Sequence, residues 1–216
     1  MISVIIPAYN EEENIREIIE RSLPFADELI VVNDGSKDRT RKILDELKNE
    51  NGLKIIDINL NSGKSNAIRE GIKHATSDIV VFLDADLQHL PEEIPKIVEP
   101  IMNNKADLVI GNRKSRDMPI HRMLSNLLVT KLCCLKTKNK INDIQCGFRA
   151  IKKSLLDTME LNGERYIIET SMYMESCRKG FKIMEVPVNC IYNGSNSKIN
   201  VFKDSFNFIR YIIFNR

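Results

Sequence analysis

This sequence predicts an α/β fold: a mostly parallel central sheet with helices on both faces. Strand-like and helix-like segments alternate from the first residues, the βαβ rhythm of parallel strands joined by right-handed crossovers. The run Ile79-Val80-Val81-Phe82-Leu83 is apolar throughout, as suits a central strand buried on both faces. The chain's 216 residues suffice for one well-buried core and fall short of two ordinary domains.

The first five strands read as Ile2–Ile6, Leu29–Val32, Lys54–Ile58, Ile79–Leu83 and Leu108–Ile110. Between them, three-or-four spacing of apolar residues, as in Ile15, Ile18, Ile19 or Ile43, Leu44, Leu47, predicts helices over Glu12–Leu23, Arg39–Glu50, Lys64–His74 and Glu92–Asn103. Pro91 ahead of Glu92 and Glu93 is a good start for the last of these, with a proline in the first turn and acids against the helix dipole. After Gly111 the rhythm breaks. A basic stretch, Asn112 to Pro119, leads into a predicted helix around Ile120–Leu135 and a basic linker, Lys136–Lys140. A helix near Ile167–Lys179, strands at Ile183–Val186 and Val188–Tyr192, and a last helix near Val201–Phe214 complete the reading. No internal repeat interrupts it, and the whole is expected to form one domain.

Composition narrows the class. With 29% charged and 43% apolar residues, the chain has the make-up of a folded globular protein rather than a disordered one. A net charge of +2, with 32 basic and 30 acidic residues interspersed, argues against a general nucleic-acid binder. The five cysteines include no C-x-x-C pair, so reduced thiols in a cytosolic compartment are expected rather than zinc or disulfides. The start of the chain enters a strand and meets Pro7 and Asn10, unlike a signal peptide, and no apolar run approaches a membrane span. Asn193-Gly194-Ser195 reads as a turn.

Asp84-Ala85-Asp86-Leu87-Gln88 is the most informative segment. In extended geometry residues two apart point the same way, so Asp84 and Asp86 offer oxygens on one side, roughly 7 Å apart at Cα, at the carboxyl end of a strand. Mg²⁺ or Mn²⁺ held by one or two carboxylates completes its shell with water and substrate phosphate, which makes a metal-bound diphosphate the natural guest. A helix cap plus a solvated loop acid is the plainer alternative. The loops after the earlier strands fall on the same sheet edge. There Tyr9 can lie against a base, Asp34 can accept from a base N–H or sugar hydroxyl, and Lys64 can reach a phosphate. Two phosphate motifs fail: a P-loop wants glycine where Ile58 stands, and no G-x-G-x-x-G follows the first strand. A hydrolase with a nucleophilic aspartate carries its pair on the first strand, not the fourth.

Taken together, Ser3-Val4-Ile5-Ile6-Pro7-Ala8-Tyr9-Asn10-Glu11, Val32-Asn33-Asp34-Gly35-Ser36, Asn61-Ser62-Gly63-Lys64, Asp84 to His89, Gly111-Asn112-Arg113 and Asp143 to Ala150 resemble family 2 glycosyltransferases of the A-type fold. The resemblance is greatest to the dolichol-phosphate and polyprenyl-phosphate mannosyltransferases. It implies a single-domain nucleotide-diphospho-sugar transferase fold over residues 1–216: a nucleotide-binding half over 1–111, an acceptor half over 112–200 and an amphipathic C-terminal helix over 201–216. Pro7, Tyr9, Glu11 and Asp34 match nucleotide-binding positions, with Lys64 and Asp84 beside them. Asp84, Asp86 and Gln88 match the metal and diphosphate site. Arg113 and Arg149 match basic positions near the phosphates, and Ser197 and Lys198 match positions associated with the acceptor phosphate. Asn33 stands where the family usually shows an aspartate, which leaves open the base that is read.

The implied reaction is metal-dependent, inverting transfer of a hexose, mannose by resemblance, from GDP-mannose to a polyprenyl or dolichyl monophosphate. Asp86 and Arg149 would stabilise the leaving diphosphate. An acceptor phosphate is already anionic and needs positioning more than deprotonation; if a base is used, Asp143 is the candidate and Glu169 the reserve. The alternatives are glucosyl or N-acetylhexosaminyl transfer from a UDP-sugar, nucleotidyl or phosphoryl transfer, and noncatalytic sugar-nucleotide binding. The apolar and basic residues of the last segment, and the helix from Ile120 with Arg122 and Lys131, suit a membrane surface, with core packing or a dimer contact as the plainer reading. The end of the chain at Arg216 leads to the expectation of a peripheral protein at the cytoplasmic face of the membrane, or one paired with a separate membrane subunit.

Overall fold

The computed structural model describes residues 1–113, 120–162, 167–191 and 211. Its first half follows the predicted alternation: β1 (Ile2–Ala8), α1 (Ile15–Ser22), β2 (Glu28–Asp34), α2 (Thr40–Leu47), β3 (Leu53–Ile58), α3 (Lys64–His74), β4 (Ile79–Phe82), α4 (Ile94–Met102) and β5 (Leu108–Arg113). The second half adds α5 (Ile120–Thr137), β6 (Arg149–Lys152), α6 (Lys153–Leu156), α7 (Ile168–Arg178) and β7 (Ile183–Val188). The strands form one sheet in the order β3-β2-β1-β4-β6-β5-β7, in which only the β6 pairings are antiparallel.

That order explains where ligands can gather. β1, β2 and β3 step one way across the sheet, and β4 returns to the other side of β1. With right-handed crossovers, α1 and α2 then lie on one face and α3 on the other. The carboxyl ends of β1 and β4 therefore flank a topological switch point, where the crossovers part and leave a crevice. Gly71 lets α3 lie close on the sheet, since a Cβ there would sit 2.5 Å from Ile5 Cγ2. The core runs through β1, β2, β4 and β5, where Val4, Ile30, Val81 and Val109 are wholly buried.

Three departures from the sequence reading have physical causes. Helix α1 starts at Ile15 rather than Glu12, because the Glu11 and Glu12 amides donate to Thr40 Oγ1 and Asp38 Oδ2 and tie this segment to the β2 loop. Strand β6, four residues that begin at the end of the Gln145–Ala150 stretch, was not anticipated; it is too short to show a period, and it separates β4 from β5. The strand pair expected around Pro187 is one strand, Ile183–Val188, which among the described residues pairs only with β5. An edge strand has no ladder bond to lose at proline. The predicted helix over Val201–Phe214 lies outside the described residues apart from Tyr211, whose hydroxyl donates to Ser171 Oγ at 2.8 Å.

Candidate active site

Strand β4 delivers Asp84 to the switch point, and a partly buried lysine meets it there. Lys64, in the first turn of α3, places Nζ 2.6 Å from Asp84 Oδ1 and 2.8 Å from Glu169 Oε1 on α7. Burial works against a charge on Lys64, but the two carboxylates outweigh it and raise its pKa. Burial likewise favours a neutral Asp84, and the Lys64 ammonium reverses this, so Asp84 stays ionised. On its other side Asp84 faces the main chain at Gly147, where a Cβ would lie 2.5 Å from Oδ2. Only glycine admits so close an approach.

Asp86 follows in a strained turn. Leu87 adopts φ 56°, unusual for a bulky residue, and such strain gathers at ligand sites. The turn lets Gln88 N–H donate to Asp86 Oδ1 at 3.1 Å, while the Gln88 carbonyl accepts from Ile191 N–H at 2.9 Å. Burial, then the charge of Asp84, pushes the Asp86 carboxyl up to about 6, with Glu11 adding to the same effect. Mutually repelling acids with hard oxygen donors are the environment a divalent cation relieves. No cluster of three or more metal-ligating side chains exists among the described residues. Asp84 and Asp86 would fit one side of an Mg²⁺ or Mn²⁺ ion, leaving the rest of its shell to phosphate and water.

The loops after β1, β2 and β3 are stitched into one wall beside these acids. Asn10, at φ 52°, donates its N–H to Ser36 Oγ and accepts from Lys37 N–H. Pro7 is the next-to-last residue of β1, paired with Val32, so Tyr9 and Glu11 leave the strand into the crevice edge.

Four sequence expectations receive different work. Asp34, expected to accept from the nucleotide, already accepts from Ser62 N–H, Ser62 Oγ–H and Gly63 N–H, each at 2.8 Å, and so anchors the start of α3 that carries Lys64. Arg149, expected at the phosphates, is 1% exposed and donates to the carbonyls of Ile144, Cys146 and Glu169; it knits β6 to α7 and sets the backbone around Gly147. Asp143, the candidate base, accepts Arg113 Nε and Nη2 at 2.7 and 2.8 Å and Asn126 Nδ2 at 2.9 Å. Burial raises its carboxyl pKa, but the Arg113 hydrogen bonds outweigh that and lower it, which makes it a poor base. Arg113 is accordingly the partly buried half of an ion pair with the buried Asp143 at the end of β5. Ser197 and Lys198 lie outside the described residues.

The structure also explains Asn33. Its Nδ2 donates to Asp57 Oδ1 at 2.9 Å and its Oδ1 accepts Ser36 N–H; an aspartate there would face Asp57 with like charge. Sequence reasoning missed the close approach of Gly147 to Asp84, although glycine inside Gln145-Cys146-Gly147-Phe148-Arg149 was a signal. Asn126, midway along α5, carried none.

Residues 3–159 match the model of the family described as Glycosyl transferase family 2. The chain is 35% identical over 227 residues to dolichol-phosphate mannosyltransferase of Pyrococcus furiosus, an alignment covering 98% of this chain and 62% of that protein. It is 34% identical over 216 residues to UDP-N-acetylglucosamine–dolichyl-phosphate N-acetylglucosaminyltransferase of Methanococcus voltae, covering 89% of this chain and 86% of that one. Among solved structures, glucosyl-3-phosphoglycerate synthase from Mycobacterium tuberculosis, in complex with Mn²⁺, UDP and glucosyl-3-phosphoglycerate, superposes with a TM-score of 0.78 at 22% identity, covering 99% of this chain and 77% of that one. That likeness is one of fold.

Proposed function

The chain belongs to glycosyl transferase family 2, and from that premise we propose that it transfers a hexose, mannose first, from a nucleotide sugar to a polyprenyl or dolichyl monophosphate with inversion. The observation that carries the reading is the acidic pair Asp84 and Asp86 at the switch point, with Lys64 locked to Asp84. Family membership favours release of a nucleoside diphosphate over nucleotidyl or phosphoryl transfer.

Mg²⁺ or Mn²⁺, held by Asp84 and Asp86 with Gln88 beside them, supplies charge stabilisation to the departing diphosphate. The rest falls to the chain. Pro7, Tyr9 and Glu11 form the nucleoside wall, and Asp34 supports it through the loop it anchors. Lys64, held between Asp84 and Glu169, contributes fixed positive charge, and loss of one preorganised donor at a developing anion typically costs roughly 100- to 1,000-fold in rate. Inversion follows from direct attack by an acceptor phosphate that is already anionic, with no base required of Asp143. In this reading residues 1–111 bind the nucleotide, 112–200 bring the acceptor, and 201–216 with Ser197 and Lys198 meet the lipid phosphate.

The lipid acceptor implies a membrane surface. Among the described residues no helix is long and apolar enough to cross a membrane. The exposure of Ile120, Leu124, Leu127, Leu128 and Leu135 along α5 supports peripheral docking, which we place at the cytoplasmic face, alone or with a membrane subunit.

A UDP-sugar donor is the second reading, favoured by the N-acetylglucosaminyltransferase relative, of which the chain spans 86%. The test is a donor panel of GDP-mannose, UDP-glucose and UDP-N-acetylglucosamine with Mg²⁺ or Mn²⁺ and a short polyprenyl phosphate, read by product mass. Formation of polyprenyl-phosphate-hexose with GDP-mannose supports the first reading. Product with a UDP-sugar alone transfers the conclusion to the second, and a sugar phosphate or pyrophosphate product contradicts both.

A further inference from the structure

Five buried side-chain atoms among the described residues lack a hydrogen-bond partner: the hydroxyls of Ser22, Ser77 and Thr170, His89 Nδ1, and Glu169 Oε2. Glu169 alone of these is a carboxylate, and it stands one ammonium away from Asp84. The residue is 5% exposed. Its Oε1 holds Lys64 at 2.8 Å, and its main-chain carbonyl accepts Arg149 Nη1 at 2.8 Å. The partly buried Lys64 ammonium thus balances the carboxylate with the buried Arg149 guanidinium nearby, while the second oxygen is left as an unmet acceptor. Native interiors seldom leave such an atom unmatched without a functional reason.

We propose that Glu169 is a donor-sugar specificity residue: Oε2 accepts a hydrogen bond from a hydroxyl of the sugar to be transferred. The inference rests on the proposed function, because it takes the diphosphate to lie at Asp84 and Asp86. The sugar is bonded to the outer phosphate of that diphosphate, so its ring comes next to the groups that flank Asp84. Lys64 bridges the two acids, 2.6 Å from Asp84 and 2.8 Å from Glu169, so in this reading the acid beside the diphosphate and the acid beside the ring share one ammonium. A carboxylate receiving a hydroxyl rejects a ring that offers none, because the buried acceptor is then left unpaired.

Glu169→Gln is a sharp probe. Lys64 only donates, so the amide oxygen turns toward it and the amide NH₂ takes the place of Oε2, exchanging an acceptor for a donor. The experiment is calorimetric titration of wild type, Glu169→Gln and Glu169→Asp with GDP-mannose against GDP, and UDP-N-acetylglucosamine against UDP, at saturating Mn²⁺, with thermal unfolding recorded for each. For the donor that wild type binds, the Gln variant is expected to weaken the nucleotide sugar about 10- to 100-fold relative to its nucleoside diphosphate. Affinity for the diphosphate itself should stay within about threefold. Glu169→Asp, which keeps the charge but withdraws the oxygen, should shift the ratio the same way, and it carries the test if Gln impairs folding. An unchanged ratio, or equal weakening of both ligands, overturns the proposal. If wild type binds a nucleotide sugar yet transfers nothing to polyprenyl phosphate, the transfer reading fails while the ratio still decides the role of Glu169. If wild type binds no donor, both are overturned.

Discussion

Gly147→Ala tests the site through one methyl group. The new Cβ would lie 2.5 Å from Asp84 Oδ2 and 3.0 Å from its Cγ, whereas ordinary van der Waals contact begins at 3.4 Å, so the carboxylate must retreat by roughly 0.9 Å. Asp84 is short and clamped at 2.6 Å by Lys64, so the retreat drags the ammonium or breaks the pair. A displacement near 1 Å in a catalytic constellation costs about 100-fold in rate, and overpacking costs about 1–3 kcal/mol of stability. The expected result is a folded variant that unfolds a few degrees lower, with kcat/KM down about 100-fold and a raised Mn²⁺ requirement. Initial rates across a Mn²⁺ titration, with calorimetric unfolding, measure both. Gly180→Ala serves as control: nothing lies within 4 Å of a Cβ there, but φ is +71°, so it should lose about 1 kcal/mol of stability and no activity. A folded Gly147→Ala enzyme with wild-type rate and metal response would refute the reasoning.

Asp143→Asn should unfold about 3 kcal/mol more easily in urea, because it leaves Arg113 without its buried partner, and its pH–rate profile should keep the shape of wild type, as a base could not. Arg149→Lys should lose about 2–4 kcal/mol by the same measurement, since one ammonium cannot span the three carbonyls that the guanidinium holds. Acid should weaken the fold through Glu28, whose pKa burial pushes up but hydrogen bonds from Lys54, Ser3 and Thr76 hold below 4.5. A depressed folded value stabilises at pH above the unfolded value and is lost as pH falls through the folded one. Urea unfolding between pH 6 and pH 3 should therefore show a decline starting near pH 4.5 that Glu28→Gln flattens.

The parallel half was legible because its signals are long. β4 is an uninterrupted apolar run, β2 carries the apolar stretch Leu29–Val32, and α3 appears at its predicted bounds of Lys64–His74. The acidic pair was legible for the same reason, since it ends the most apolar strand. β6 was hidden because four residues, Arg149–Lys152, include two basic ones, and nothing local says that Arg149 will bury its guanidinium on main-chain carbonyls. The partners of Asp34 and Asp143 were hidden for one reason: a free carboxylate and one held by Ser62 and Gly63, or by Arg113 and Asn126, look identical in sequence. Partners 17 to 30 residues away decide the matter.

The account turns on a divalent cation held by Asp84 and Asp86 against the diphosphate of a nucleotide sugar. Anomalous diffraction at the manganese edge, from crystals soaked with Mn²⁺ and GDP-mannose or UDP-N-acetylglucosamine, measures this directly. The predicted result is a peak between those two carboxylates with the diphosphate in contact, absent from Asp86→Asn crystals. A diphosphate bound elsewhere, with no manganese at the end of β4, would contradict it.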